Sequence, residues 1–348
     1  MKERIRSIDF IKGFTIILVI VAHAIGMIKG LDSNEDRLYN YIYSFHMPLF
    51  MFVSGFVCYK IESHWADIKK RAYQLLIPFI AYPIITGLLL NGEYHTTSLI
   101  NNIEVPDSGL WFLYVLFIIS SFYSFANIFF RKFAGVGGAK YNIYIVVVTL
   151  VLFFILSALS VYFKIELNGR KDYGVSLVAR HSIFYCLGLF AKQYYDEIRP
   201  LLVKYRYLFV IIWFLMASFW EFHHKPTFIS DPNLFIEMTY YYLTAIVGIL
   251  MVFSYSIKHI RQNTKNTFVR AMSYIGTISL GLYAMHYSFM LGLVYRVIGA
   301  FELNYWIALI LLSLLTTGFC IILTRIVEKG HLAPQLLLGK VKFIEELK

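Results

Sequence analysis

The chain has 348 residues, of which 59% are hydrophobic, 18% aromatic and only 15% charged, with a net charge of +11. A soluble domain carries about 25% charged residues, so this composition leaves too few polar side chains to cover a water-exposed surface. The many Phe and Tyr residues exclude disorder, and three cysteines without CxxC spacing exclude a disulfide scaffold. We therefore expect a polytopic membrane protein in which Cys58, Cys186 and Cys320 are buried thiols.

Ten apolar runs are each long enough to cross about 30 Å of hydrocarbon as a helix. In chain order they are Phe10–Met27, Tyr39–Tyr59, Ala72–Leu90, Leu110–Phe130, Tyr141–Phe163, Val178–Lys192, Tyr207–Phe222, Phe235–Ile257, Met272–Tyr295 and Tyr305–Ile326. Continuous runs of this length are too uniform for barrel strands. The predicted fold class is an all-α integral membrane protein with about ten transmembrane helices in a single domain, residues 1–348.

Lys and Arg are unevenly distributed between the connections. When the N-terminus is placed in the cytoplasm, most of them fall on the cytoplasmic side, and this asymmetry predicts that both termini are cytoplasmic. The positive charge is then a topology signal, and we expect no nucleic-acid partner. Ala22-His23-Ala24 imitates a signal-peptide cleavage site, but nine further apolar runs predict a retained anchor.

Ionisable side chains inside the first predicted helix indicate function, because such groups are costly in lipid and usually face an interior cavity. Asp9 and Lys12 lie at its cytoplasmic start, where Lys12 could pair with Asp9 or extend to the interface. His23 follows Lys12 by eleven residues, which places it on the same face about 16 Å further along the axis.

Other predicted helices carry polar or aromatic side chains that we expect at the same depth, in the outer half of the membrane. They are His46 in the second helix, Trp111 in the fourth, Arg180 and His181 in the sixth and His286 in the ninth. Ser54 follows His46 by eight residues and lies on roughly the same face of the second helix. Each has a structural alternative: a membrane histidine often bonds between helices, and Trp111 could belong to an interfacial belt. Glu221, His223 and His224 resemble metal ligands, but without a third histidine nearby we predict no metal site.

Two stretches resemble the membrane-bound acyltransferase-3 family. The first runs from Arg6 through Asp9 and Lys12 to His23, with Lys12 where the family more often has Arg. The second, FHMPLF at residues 45–50 followed by Ser54 and Gly55, is similar to the fucose 4-O-acetylase-like branch. Weaker likenesses follow in family order at Leu110–Leu113, at Arg180 with Phe184 and Gly188, and at Tyr283 with His286.

This resemblance implies a ten-helix enzyme of the bacterial inner membrane that transfers an acyl group, usually acetyl, from acetyl-CoA to a hydroxyl of a surface or lipid-linked carbohydrate. Acetyl-CoA would be a co-substrate, with no permanently bound cofactor, and envelope-biosynthesis proteins are possible partners. We expect the polyanionic donor to dock against Lys12 and Asp9 and against the loop cations Lys69, Lys70 and Arg71.

The chemistry assigns roles to the remaining side chains. A neutral His23 would act as the general base for the acceptor hydroxyl, and Arg180, His46 or His286 would stabilise the oxyanion. The side chains expected to contact the acceptor are Trp111, Tyr283, Ser54 and His181. Two alternatives stay open, a polytopic exporter of polysaccharide or small solutes and a non-catalytic envelope scaffold; the sequence shows no inverted repeat of the transporter kind. The sequence names neither the acceptor nor the acyl group.

Overall fold

The computed structural model describes residues 5–60, 62–91, 104, 110–134, 139–166, 172–221, 226–229, 233–331 and 333–340, and most of these residues are helical. Continuous apolar runs become helices in lipid because every backbone hydrogen bond must then be satisfied within the segment. In chain order the α-helices are α1 (Arg6–Lys29), α2 (Arg37–Tyr43), α3 (His46–Cys58), α4 (Trp65–Arg71), α5 (Ile77–Asn91), α6 (Trp111–Ala134), α7 (Ala139–Glu166), α8 (Val175–Gln193), α9 (Tyr195–Lys204), α10 (Arg206–Ser218), α11 (Leu234–His259), α12 (Thr267–Thr277), α13 (Ser279–Met285), α14 (Gly292–Ile298), α15 (Tyr305–Glu328) and α16 (Ala333–Leu338). A 3-10 segment covers Gly30–Glu35, and π-helical turns cover Ala72–Leu76 and His286–Leu291.

Six helical stretches of the described chain are long and apolar enough to cross a membrane, which makes the protein a multi-pass helical membrane protein. They are Arg6–Glu35, Arg37–Cys58, Trp111–Phe130, Lys140–Phe163, Leu234–His259 and Tyr305–Glu328. Helices α9 and α10 together would make a seventh, but a bend of 71° separates them. The other predicted spans are helical without reaching the same length and hydropathy, so the total of ten stays a prediction.

Three of the predicted spans are interrupted. The second divides between α2 and α3 because Pro48 has no N–H to offer the carbonyl of Ser44, and the chain turns at Ser44 and Phe45. The third opens on the π-helical turn Ala72–Leu76, directly after α4. The ninth is divided into α12, α13, the π-helical turn His286–Leu291 and α14. Continuous apolar composition does not reveal such breaks, because hydropathy is unchanged across them.

The chain divides into two compact units, each made from segments distant in sequence. The first unit comprises Met1–Val53, Tyr194–Leu282 and Phe289–Ile321. The second unit comprises Ser54–Gln193, Tyr283–Ser288 and Ile322–Lys348.

The first unit is organised around a close crossing of α1 and α12. Gly13 of α1 lies against the backbone of Met272, and Gly276 of α12 lies against the backbone of Asp9. A Cβ atom at either glycine would overlap the carbonyl oxygen of the facing helix. The two backbones therefore meet through reciprocal glycine contacts, the small-residue packing typical of membrane helices.

The buried carboxylate of Asp36 lies beyond the C-terminal end of α1. Asp36 caps the N-terminus of α2 by accepting a hydrogen bond from the Tyr39 N–H at 3.0 Å. It also accepts from the Lys29 ammonium at 2.6 Å and from the Tyr305 hydroxyl at 2.7 Å. Burial alone would raise the pKa of Asp36, but these hydrogen bonds outweigh it and hold the pKa below its usual value.

In the second unit, α6 packs against α4, α7 and α8, and α7 packs along α8. Gly55, near the end of α3, lies against the carbonyl of Tyr185 in α8, where a Cβ would again overlap backbone. Helix α7 has many exposed apolar side chains, including Ile143, Val147 and Phe154. That composition suits a helix in contact with lipid on most of its circumference.

Candidate active site

Helix α1 presents Asp9, Lys12 and His23 from one continuous element. Lys12 lies 3.4 Å from the Asp9 carboxylate, which confirms the predicted pairing. Between Lys12 and His23 on the same face lie Ile16 and Val19, both fully buried. The two polar side chains are half-buried. Lys12 and His23 therefore lie at the two ends of one face of α1, which we call the α1 stripe. This face packs against protein rather than lipid.

His46 is buried at the start of α3, and its ring orientation is set by the backbone. Its Nδ1 lies 2.8 Å from the carbonyl oxygen of Ile42, so Nδ1 must carry the proton and donate. In the neutral ring, Nε2 then carries the lone pair and accepts protons or hydrogen bonds. The Tyr43 ring packs edge-on against the imidazole, with the centroids 4.8 Å apart.

The second unit brings together aromatic and histidine side chains from three distant segments. We call Trp111, Phe112, His181, Tyr283 and His286 the aromatic–histidine cluster. Trp111 opens α6 and stacks on His181 of α8, with centroids 5.1 Å apart and an interplanar angle of 25°. The neighbouring Phe112 meets Tyr283 edge-on at 5.4 Å, and its N–H donates to the Tyr283 hydroxyl at 3.3 Å.

His286 completes the cluster at a break in the helix. It lies 5.6 Å from the Tyr283 ring, is fully buried, and begins the π-helical turn. Its Nδ1 lies 2.7 Å from the Tyr283 carbonyl, so this histidine also donates through Nδ1 and presents Nε2 as an acceptor when neutral. π-Helical turns are rare and frequently occur at functional sites.

Two other predicted side chains of the second unit lie on its helices. Arg180 is half-buried in α8 next to His181, and Ser54 is half-buried in α3. The first unit holds His23, His46, Lys12 and Asp9, whereas the second holds the cluster, Arg180 and Ser54. Among the predicted site residues, ring contacts join Trp111 with His181 and Tyr283 with His286, and an ion pair joins Asp9 with Lys12.

The predicted donor-binding cations of the second unit differ from one another. Lys69 and Lys70 are exposed in the last turn of α4. Arg71 is half-buried and directs its guanidinium toward Cys58 and Tyr185. Only the two lysines are thus displayed as a solvent-facing pair.

The cysteine prediction holds for two of the three thiols. Cys186 and Cys320 are buried, and none of the three cysteines, all within the described part of the chain, forms a disulfide. Cys58 is only half-buried, which corrects the expectation, because it ends α3 and lines a small polar cavity with Lys60 and Asn127. His223 and His224, weighed above as metal ligands, lie outside the described residues; elsewhere in the described chain no three His, Cys, Asp or Glu side chains converge on a metal position.

A polar cavity at the start of α1 was missed by sequence reasoning. It is partly open to the surface, has a volume of about 270 Å³ and is lined by Arg6, Asp9, Gln262, Arg270, Ser273, Tyr274 and Thr277. From the sequence, the basic residues around this cavity indicate only the topology of the chain, although Arg6 belongs to the stretch from Arg6 to His23 that resembles the family. A run of cations without acidic residues over 258–277 is the signal that could have found it.

Comparison of the chain with known protein families gives a match that covers the site residues described above. A profile of the acyltransferase-3 domain, described as an acyltransferase domain, matches residues 5–325. Because the match covers most of the chain, the protein belongs to this family of acyltransferases. The match includes every residue of the aromatic–histidine cluster and of the α1 stripe.

Curated relatives are similar over a shorter stretch. Nodulation protein NolL of Sinorhizobium fredii is 32% identical over 127 residues, which is 33% of this chain and 34% of that protein. Nodulation protein NolL of Mesorhizobium japonicum is 29% identical over 123 residues, 32% of this chain and 33% of that protein. The chain thus matches about a third of the length of these relatives. No solved structure matches it.

Proposed function

We propose that this protein is a membrane O-acyltransferase that moves an acetyl group from acetyl-CoA to a hydroxyl of a surface or lipid-linked carbohydrate. The observation that carries the proposal is the acyltransferase-3 match over residues 5–325. The FHMPLF stretch is the reason to place the protein nearest the fucose 4-O-acetylase-like branch.

The proposed topology is ten spans in one acyltransferase domain, with both termini in the cytoplasm and the protein in the bacterial inner membrane. Its support is the asymmetry of the basic residues across the connections. The acyl donor would then enter from the cytoplasm, and its phosphates would meet Lys12, Lys69, Lys70 and Arg71, with Asp9 orienting Lys12.

The proposed reaction is direct transfer with His23 as general base. The neutral imidazole takes the proton of the acceptor hydroxyl while that oxygen bonds to the thioester carbonyl carbon. The tetrahedral intermediate then collapses, the carbon–sulfur bond breaks, and the leaving CoA sulfur recovers the proton from His23. Atoms and charges balance without a covalent acyl-enzyme.

Hydrogen-bond geometry distinguishes the other proposed catalytic groups. His46 and His286 both donate through Nδ1 to a backbone carbonyl, so their neutral rings offer only an accepting Nε2. They suit orientation of a hydroxyl, and they would stabilise an oxyanion only as imidazolium. Arg180 always carries donors, which makes it the better oxyanion group.

The proposed acceptor-binding surface uses Trp111 and Tyr283, because sugar rings stack on aromatic faces. His181 covers one face of Trp111 and would hold it in place, and Ser54 would offer a hydroxyl. These assignments are supported by the contacts within the cluster.

Two measurements on the full-length protein test the function. Purified protein should release free CoA thiol from acetyl-CoA only when a carbohydrate acceptor is added, and mass spectrometry should find the acceptor heavier by one acetyl group. Envelope polysaccharide from cells lacking the protein should lose that mass. Movement of carbohydrate across vesicles without consumption of acetyl-CoA would replace this proposal with a transporter.

A further inference from the structure

The polar cavity at the start of α1, which we call the arginine cavity, has no role in the transfer step proposed above. It lies between the first turns of α1, the α11–α12 connection and α12. Its volume of about 270 Å³ is large enough for a small organic group rather than a few waters.

The walls of the arginine cavity are held in place by direct contacts. The backbone N–H of Arg6 donates to the Gln262 side chain at 2.9 Å, and the Arg6 guanidinium donates to the Thr264 carbonyl at 3.3 Å. Beyond these contacts, the glycine crossing of α1 and α12 fixes the distance between the two helix backbones. The cavity is therefore preorganised, which lowers the entropy lost on binding.

The charge of the arginine cavity favours a phosphorylated ligand. Arg6 and Arg270 both line it, and guanidinium forks match the geometry of phosphate oxygens. Residues 258–277 contain no Asp or Glu but four Lys or Arg, at positions 258, 261, 265 and 270, and all four are exposed.

The remaining lining groups favour a nucleotide over a simple phosphate. Asp9 contributes a carboxylate, which would repel a bare anion but accepts hydrogen bonds from a ribose hydroxyl or an exocyclic amine. Tyr274 offers an aromatic ring, and Gln262 and Ser273 offer amide and hydroxyl groups. The guanidinium groups suit the phosphates of an adenosine phosphate, the Asp9 carboxylate suits its hydroxyl or amine groups, and the Tyr274 ring suits its base.

We propose that the arginine cavity binds the phosphorylated adenosine end of the acyl-CoA donor, with Arg6 and Arg270 on its phosphates. This inference rests on the proposed function, since it takes acyl-CoA as the donor. Of the residues that line the cavity, Asp9 belongs to the donor-binding set named above, whereas Arg6 and Arg270, to which the phosphate contacts are assigned, do not. Lys12 follows along the same helix, so α1 would bind the nucleotide at its start and lead the pantetheine arm toward His23.

Binding of adenosine 3′,5′-bisphosphate to the purified full-length protein, measured by calorimetry in neutral-lipid nanodiscs, tests the site. Arg270→Ala should weaken binding about tenfold or more, because a charge-assisted phosphate contact contributes about 1.5–3 kcal/mol. Arg270→Lys should restore part of it. Arg261→Ala is the matched control: it removes an exposed arginine of the neighbouring α11–α12 connection that does not line the cavity, and binding should change less than twofold.

Three results would overturn the proposal: no bisphosphate binding by the wild type, equal weakening by Arg261→Ala, or competition by inorganic phosphate as strong as by the nucleotide. The KM for the acyl donor distinguishes a failure of the proposed nucleotide site from a failure of the proposed acyl transfer. If the wild type transfers acetyl and Arg270→Ala raises the KM for acetyl-CoA but not for acetyl-dephospho-CoA or the acceptor, the site is supported. If the wild type binds the bisphosphate but transfers nothing, the proposed function fails and the nucleotide site stands.

Discussion

The arginine cavity and the aromatic–histidine cluster show two ways in which this apolar chain retains polar side chains. The arginine cavity has three charged side chains, Arg6, Asp9 and Arg270, among its polar lining, and it lies at a helix start, where Arg270 is exposed. In the cluster the polar groups are imidazoles and a phenol, stacked on aromatic rings, with His181 and His286 buried.

The difference between them follows from the cost of burying charge. Guanidinium cannot lose its proton, so it stays where water reaches it and suits a ligand that brings its own negative charge. Imidazole can be buried neutral, and its backbone hydrogen bond then fixes which nitrogen accepts a proton. One region is therefore suited to hold a charged ligand, and the other to contact reacting or sugar hydroxyls.

Of the variants that test this comparison, His286→Ala should produce the largest effect, because it removes a proposed catalytic group from the cluster. We expect kcat for acetyl transfer to fall about 100-fold, as is typical of a lost group that orients or stabilises the reacting atoms, with little change in the donor KM. Steady-state kinetics of folded, monodisperse protein provides the measurement. The control is His331→Ala, which replaces an exposed histidine outside the cluster. If His286→Ala had the same kcat as this control, the cluster would have a packing role and no catalytic role.

Gly276→Ala tests whether the rigid helix crossing supports the arginine cavity. The added methyl group overlaps the Asp9 carbonyl, so α1 and α12 must separate, at a cost of about 1–3 kcal/mol. Thermal unfolding should show a lower Tm than for the wild type. Gly26→Ala, in α1 with nothing within 4 Å of the new methyl, should leave Tm unchanged or raise it. Equal Tm values for the two variants would contradict the close crossing.

Asp36→Asn should give the smallest change and one that depends on pH. The folded pKa of Asp36 is lowered, so its stabilisation is present at neutral pH, above the unfolded pKa of about 3.9, and is lost as pH falls through the folded value. We expect the variant to be about 1–2 kcal/mol less stable at pH 7 and the difference to shrink below pH 4. Denaturation of the variant and the wild type at both pH values measures the difference in the free energy of unfolding. A difference that does not change with pH would show that the ionised carboxylate of Asp36 is not its cause.

Sequence reasoning identified the helices whose apolar runs are long and unbroken. Phe10–Met27 lies within α1, and Phe235–Ile257 lies within α11, because hydropathy over such a run leaves no other structure in lipid. The break before α3 and the π-helical turn at His286 were not predicted, since they depend on single hydrogen bonds that hydropathy does not record.

The candidate site was predictable as a set of residue types but not as a set of contacts. The stacking of Trp111 on His181 joins α6 to α8, which are not consecutive in the chain, and it depends on how each helix is rotated. The Asp9–Lys12 pair was predictable because it is local, at i and i+3. The arginine cavity depends on the approach of α12 to α1, which two glycines far apart in sequence permit.

The proposed acyl transfer is tested most directly by following labelled acetyl from acetyl-CoA to a carbohydrate acceptor with purified wild-type protein, His23→Ala and the His331→Ala control. The account predicts transfer by the wild type and the control. It predicts a loss of about 100-fold or more in His23→Ala, although that variant elutes and unfolds like the wild type. Full activity in His23→Ala would contradict the proposed general base.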